Sequence, residues 1–163
     1  MQAEPSVQDR DPQPYAGIRV AVTMPAMPAA IDAAFPELFG WLEATGTTMT
    51  GAPFIRYHVI DMAAELDIEL AVPVPGPVEP SGRIQPGVLP GGRYVVLLHT
   101  GPYDGLVAAN GALQAWAAEQ GITLDHSADE RTWPGRLERY LTDPSAEPDS
   151  AKWETEIAYL VAP

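Results

Sequence analysis

The sequence predicts an α+β fold built from two copies of a β-α-β-β module. The copies are related by a pseudo-twofold axis, with antiparallel sheets, helices on one side and a cleft at the centre. Three observations carry this. Two stretches have helical periodicity, and each is followed by two strand-like runs. The two halves also match as sequences: Leu38, Trp41 and Gly46 correspond to Leu113, Trp116 and Gly121 at a constant offset of 75. Arg56-Tyr57 then corresponds to Arg139-Tyr140 at an offset of 83, and Glu69 falls near Glu156 at 87. An offset that holds through a helix and grows only at loops is the signature of internal duplication. Finally, 163 residues suffice for one domain or two small, intimate halves.

Residues 1 to about 14 hold Gln, Asp, Glu, Ser and Pro with almost no large apolar side chains. Such a stretch buries too little to offset its ordering, so a disordered lead is expected over 1–14. The domain proper is expected over 15–163, with module one at 17–75, a linker at 76–82 and module two at 83–162. Ile18-Arg19-Val20-Ala21-Val22 alternates and branches like a strand, and Pro25 and Pro28 end it. A helix is expected from about Ala29 to Ala44, with Ile31, Phe35, Leu38, Phe39 and Leu42 on its buried face. Pro36 inside that run predicts a kink or a late start, and Gly46 predicts the stop. A strand follows within Gly51–Asp61, and Met62-Ala63-Ala64 turns the chain. Glu65–Val74 then alternates cleanly, with Leu66, Ile68, Leu70 and Val72 on one face and Asp67, Glu69 and Ala71 on the other. The linker is rich in Pro and Gly and should be stiff.

The second half repeats the order. Arg83–Leu89 is a short strand, Pro90-Gly91-Gly92 a turn and Arg93–His99 a strand. Tyr103–Gln120 is helical, with Leu106, Val107, Leu113 and Ala117 on one stripe and Gly121 closing it. An acidic loop over Asp125–Glu130 leads to the strand Leu137–Leu141, which Asp143-Pro144 closes. Lys152–Val161 is the last strand. Trp41 and Trp116 occupy equivalent helix positions and read as packing.

Leu137-Glu138-Arg139-Tyr140-Leu141 has the most chemical content. Side chains alternate along a strand, so Glu138 and Tyr140 share one face and Leu137, Arg139 and Leu141 the other. The paired modules should leave a concavity on the side away from the helices. Tyr57 with Tyr140, Glu69 with Glu156, and Glu138 opposite Ile55 should meet there, with Trp133 and Trp153 flanking module two. Aromatic walls with few carboxylates suit a flat, hydrophobic, cationic molecule, because ring faces attract cations by roughly 0.5–2 kcal/mol. A desolvated carboxylate adds charge complementarity only for a positive ligand. The alternative is a solvated strand face, and it stays open for Glu138, Tyr57, Tyr140, Glu69 and Glu156 alike.

Composition excludes several classes. Nine Lys and Arg stand against 22 Asp and Glu, a formal charge of −13, which repels nucleic acid. With no cysteine there is neither disulfide nor thiolate chemistry. His58, His99 and His126 do not form a metal-ligand spacing, and no cofactor is expected. There is no Gly-rich phosphate loop and no Gly-x-Ser-x-Gly elbow. No apolar run reaches the roughly 20 residues that span a bilayer, and no signal-peptide core follows Met1, so a cytoplasmic protein is expected.

Four segments carry a family resemblance: Leu89-Pro90-Gly91-Gly92-Arg93-Tyr94, His99-Thr100-Gly101-Pro102-Tyr103-Asp104, Leu137-Glu138-Arg139-Tyr140-Leu141-Thr142-Asp143-Pro144, and Glu154-Thr155-Glu156-Ile157. In their order and spacing they resemble the GyrI-like small-molecule-binding family, which includes the effector-binding domains of AraC- and MerR-type multidrug regulators. Arg56-Tyr57-His58 and Asp67–Pro73 agree, and the likeness runs from about Gly17 to the C terminus. The resemblance implies SHS2-type β-α-β-β modules around a central aromatic pocket, with Glu138 as the buried acid facing lipophilic cations. The implied partners are hydrophobic or cationic xenobiotics, with no direct nucleic-acid or membrane binding. Some members resemble hydrolases of cyclopropane-bearing genotoxins; carried across, Glu138 would activate water or protonate the ring, with Tyr103 or Tyr140 as the orienting phenol. Others are gyrase inhibitors, so gyrase or a regulator protein is a third kind of partner. No helix-turn-helix is recognisable, which points to a stand-alone binding protein rather than a regulator.

Overall fold

The computed structural model describes residues 3–163. Its strands are β1 (Ser6–Arg10), β2 (Gln13–Val22), β3 (Phe54–Val59), β4 (Leu66–Pro73), β5 (Ile84–Leu89), β6 (Gly92–Thr100), β7 (Arg136–Tyr140) and β8 (Glu154–Leu160). Helix α1 (Met27–Thr45) lies between β2 and β3, and α2 (Leu106–Glu119) between β6 and β7. All eight strands form one antiparallel sheet in the order β1-β6-β8-β7-β3-β4-β2-β5. That order reads the same from either end when β1–β4 are exchanged with β5–β8. At its middle, Ile55 of β3 faces Glu138 of β7, flanked by the pairs Phe54–Arg139 and Arg56–Leu137. These are the residues that the offset of 83 equates, so the pseudo-twofold axis passes through the Ile55–Glu138 pair.

Both helices cover the same face. Ala34, Leu38 and Leu42 of α1 pack with Ile18, Ile55, Ile68 and Leu70. Leu106, Ala109, Leu113 and Ala117 of α2 pack with Val95, Leu97, Ile157 and Tyr159. Ala34, Leu38 and Leu42 match Ala109, Leu113 and Ala117 at the offset of 75. Both helices also stop in the same way. Gly46 and Gly121 sit at φ 67° and 70°, and the next amides, of Thr47 and Ile122, donate back to the carbonyls of Leu42 and Ala117. Only glycine takes that left-handed conformation without penalty.

Four expectations are corrected. The lead is not disordered over its described part: Ser6–Arg10 pairs with β6 from Ser6–Val96 to Arg10–Gly92. Its side chains are mostly exposed, so backbone hydrogen bonds hold it and no apolar pattern announces it. Met1 and Gln2 of that lead lie outside the described residues. Strand β2 starts at Gln13 rather than Ile18, and buries Tyr15 and Ala16 as well as Ile18. The helix stripes are narrower than expected, because Phe39 is 42 % exposed and Val107 82 %. Helix α1 starts at Met27, ahead of the expected Ala29, and continues past Pro36, so the proline does not delay its start. No helix among the described residues is long and apolar enough to cross a membrane.

The other face of the sheet has its own core of Tyr15, Phe54, Ala71, Leu89, Tyr94, Val96, Leu137 and Ala158. It is roofed where the β1–β2 and β5–β6 turns meet, with Gly91 against Pro12: a Cβ there would lie 2.7 Å from the Pro12 ring.

Candidate functional site

Glu138 is 7 % exposed at the centre of the helix-covered face. Strand alternation puts it there with Tyr140, while β3 brings Tyr57 alongside. Oε1 accepts hydrogen bonds from the Tyr57 hydroxyl at 2.8 Å and the Tyr140 hydroxyl at 2.9 Å. Oε2 accepts one from the Asn110 amide of α2 at 3.0 Å. All three donors are neutral. No Lys, Arg or His among the described residues forms an ion pair with Glu138. Burial, and then the Glu138 charge, push the Tyr57 phenol well above its ordinary pKa. Burial, then the charges of Tyr57 and Glu138, do the same to Tyr140. Both phenols therefore stay protonated and keep donating.

A relay continues outward. Tyr159 donates to Asn110 Oδ1 at 2.7 Å, and Gln114 donates to the Tyr159 hydroxyl at 2.8 Å. At the offset of 75, Asn110 and Gln114 take the places of Phe35 and Phe39. The two helices thus offer an amide pair on one side of the axis and a phenyl pair on the other. The phenyl pair stacks, with centroids 6.0 Å apart. It continues edge-on from Phe35 to Tyr140 at 6.5 Å and from Tyr140 to Tyr103 at 5.7 Å, and with tilted rings from Tyr103 to Trp153 at 4.8 Å. This band of rings borders Tyr140, and its outer members Tyr103 and Phe39 reach solvent.

The expected site residues thus divide between two faces. Glu138, Tyr140, Tyr57, Tyr103 and Trp153 gather on the helix-covered face, which corrects the expectation that Glu138 and the two tyrosines would meet on the opposite side. Trp133 is buried in the α2 core, edge-on to Tyr159 at 5.5 Å, one residue removed from the Asn110 relay. Tyr103 makes no hydrogen bond to Glu138; Tyr57 and Tyr140 do. Glu69 and Glu156 lie on the far face, because Asp67, Glu69 and Ala71 alternate away from the helices as the pattern required. Glu69 takes hydrogen bonds from Tyr15 at 2.5 Å and pairs with His58 at 2.7 Å. A bulge between Tyr57 and Val59 disrupts the pairing of β3 with β4 at His58. Burial alone would raise the Glu69 carboxyl, but hydrogen bonds from His58 and Tyr15 outweigh it and hold the pKa below the ordinary value. Glu156 pairs with Arg10 at 2.8 Å and lies 3.7 Å from Arg139. Asn110, Gln114, Tyr159 and Phe35 were not expected in the site. For Asn110, Gln114 and Phe35 the signal was in the duplication, which sets an amide against a phenyl at two matched helix positions.

The family described as GyrI-like small molecule binding domain matches residues 3–161. No curated protein sequence matches the chain. Among solved structures, the chain is similar to EcmrR in its DNA complex, at 25% identity and TM-score 0.82, covering 97% of this chain and 57% of that one. It therefore spans little more than half of that protein, and corresponds to 97% of the separate EcmrR C-terminal domain, at 24% identity and TM-score 0.80. SAV2435 bound to tetraphenylphosphonium is similar at 13% identity and TM-score 0.63, over 98% of this chain and 94% of that one. A hydrolase from Listeria innocua is similar at 15% identity and TM-score 0.66, over 98% and 92%.

Proposed function

The chain belongs to the GyrI-like small molecule binding domain family, and from that premise we propose that it binds hydrophobic organic cations over Glu138. The observation that carries this reading is a buried carboxylate held only by neutral donors. Desolvating an unpaired carboxylate is costly, and a positive ligand recovers that cost, whereas a neutral one does not. The aromatic band from Phe39 to Trp153 supplies ring faces and edges for the apolar part of such a ligand, and cation–π attraction adds to the contact. The exposed Tyr103 and Phe39 are the side chains that would move aside for entry. The lipophilic cation held by SAV2435 is of the class this arrangement suits.

Calorimetric titration with tetraphenylphosphonium tests the reading. Glu138→Gln keeps the shape and removes the charge. A charge contact of about 1.5–3 kcal/mol corresponds to a loss of about ten- to a hundredfold in affinity. A neutral analogue of the same shape should bind both proteins equally. Equal affinity of the two proteins for the cation would overturn the assignment.

A hydrolytic step at the same carboxylate is the second reading, favoured by the phenols that border Glu138. Glu138 would take a proton from water as the water oxygen bonds a ring carbon and the strained C–C bond breaks, then pass the proton to the carbon released. Tyr57 or Tyr140, which already touch Glu138, would orient the water better than Tyr103. Turnover of a cyclopropane-bearing substrate, abolished in Glu138→Gln, separates this reading from binding alone.

A further inference from the structure

On the face away from the helices, a cavity of about 310 Å³ lies beneath the two meeting turns. Arg10, Arg139, Tyr94, Leu89 and Leu137 line it, and Asp11 stands at its rim. It shares no residue with the Glu138 site.

Its charge is unbalanced. Two guanidinium groups share one carboxylate: Arg10 Nη2 bonds Glu156 Oε1 at 2.8 Å, and Arg139 Nε stops 3.7 Å from the same oxygen. The Arg139 side chain makes no hydrogen bond to any described residue, and its buried Nε has no hydrogen-bond partner. Arg10 Nη1 is likewise buried and unpartnered. Burial, and then the neighbouring Arg10 charge, lower the pKa of Arg139, as expected for a cation short of anions. Asp11 lies on the exposed turn, where water weakens its influence.

The other module shows a more nearly completed version of this corner. Tyr15, Arg56 and Glu69 occupy the places of Tyr94, Arg139 and Glu156. There Tyr15 donates to Glu69, while Arg56 reaches the Tyr15 hydroxyl at 3.0 Å and the carbonyls of Val88 and Pro134 at 3.1 and 2.8 Å. In the second module Tyr94 turns away to the Pro90 carbonyl at 2.6 Å, so neither it nor a carbonyl meets Arg139. Arg10 itself stands where the duplication puts Leu89. One copy satisfies both terminal nitrogens of its arginine internally and leaves only Nε unpartnered; the other adds a second arginine and leaves space.

We propose that this cavity binds a small organic anion, whose carboxylate or phosphate bridges Arg10 and Arg139 while its apolar body lies against Tyr94 and Leu137. Guanidinium groups are suited to planar and tetrahedral oxyanions through paired N–H donors. In a chain of formal charge −13, two arginines around one cavity give the local positive potential such a ligand needs.

The probes are benzoate and phenyl phosphate, titrated into the intact protein and followed by nuclear magnetic resonance. Saturable shifts of the Tyr94 ring and Leu137 methyl signals are expected. Response to benzoate alone assigns carboxylates, response to phenyl phosphate alone assigns phosphates, and response to both assigns the shared oxyanion chemistry. Arg10→Gln, on an edge strand, should weaken binding at least tenfold and leave tetraphenylphosphonium binding unchanged. Arg139→Lys, which keeps the charge and loses the fork, should weaken it less than Arg10→Gln. If neither probe moves the Tyr94 and Leu137 signals at concentrations on the order of 50 mM, where millimolar sites saturate, the inference fails. It also fails if the shifts persist unchanged in Arg10→Gln. The readout does not depend on whether Glu138 binds cations.

Discussion

Glu69 and Glu138 are both buried carboxylates near the middle of one sheet, yet their surroundings assign them opposite tasks. Glu69 is matched from within, by His58, Tyr15 and the charge of Arg56. Glu138 has only neutral donors. Glu69 therefore belongs to stability, and its pH dependence has a definite sign. Its folded pKa lies below the ordinary value, so its contribution is complete above the unfolded pKa and is lost as pH falls through the folded one. Glu69→Gln should cost about 1.5–3 kcal/mol near neutrality, the scale of a hydrogen bond to a charged group. Urea denaturation should show that difference shrinking as pH falls below about 5 and Glu69 itself becomes protonated. A difference that grew on acidification would contradict the assignment.

At the scale of elements, β2 and β5 are locked by a glycine. Gly87 lies directly opposite Tyr15, and a methyl group there would overlap the tyrosine ring. That ring cannot yield, because its hydroxyl is held by both Glu69 and Arg56. Gly87→Ala should therefore destabilise the protein by about 1–3 kcal/mol, as overpacking does. Gly40 is the opposite case: within α1, with nothing near its absent side chain. Gly40→Ala should stabilise by about 0.5–1 kcal/mol, and thermal melts of the two variants should move in opposite directions. Elements with a buried face were legible in the sequence. Leu66, Ile68, Leu70 and Val72 announced β4, and the matched glycines announced both helix ends. Strand β1 was not legible, since its one apolar residue, Val7, is exposed and its stability comes from the main chain of β6. The site was legible by half. Alternation grouped Glu138 with Tyr140, but which face the helices would cover depends on the hand of the β-α-β connections, which no side-chain pattern records.

Across the whole molecule, the duplication is interlocked rather than merely adjacent. β1 precedes module one but pairs with β6 of module two, while β5 opens module two and pairs with β2 of module one. Each module thus lends an edge strand to the other, and the turns that carry those strands across meet at Pro12 and Gly91. The exchange also delivers Arg10 to the second module and Leu89 to the first, which is how two homologous corners come to differ in charge. If β1 serves mainly as an edge cover, deleting residues up to 11 should leave a folded protein with β6 unpaired along one side. β6 carries Val95, Val96, Leu97 and Leu98 in succession, and an unpaired apolar strand recruits another of its kind. The truncated chain should sediment as a concentration-dependent dimer with an unchanged circular dichroism spectrum. Its affinity for tetraphenylphosphonium should be retained, because Glu138 and its three donors lie on β3, β7 and α2, away from that edge. A truncated chain that stays monomeric at every concentration would show that β6 needs no cover, and a chain that unfolds would make β1 part of the core rather than its border.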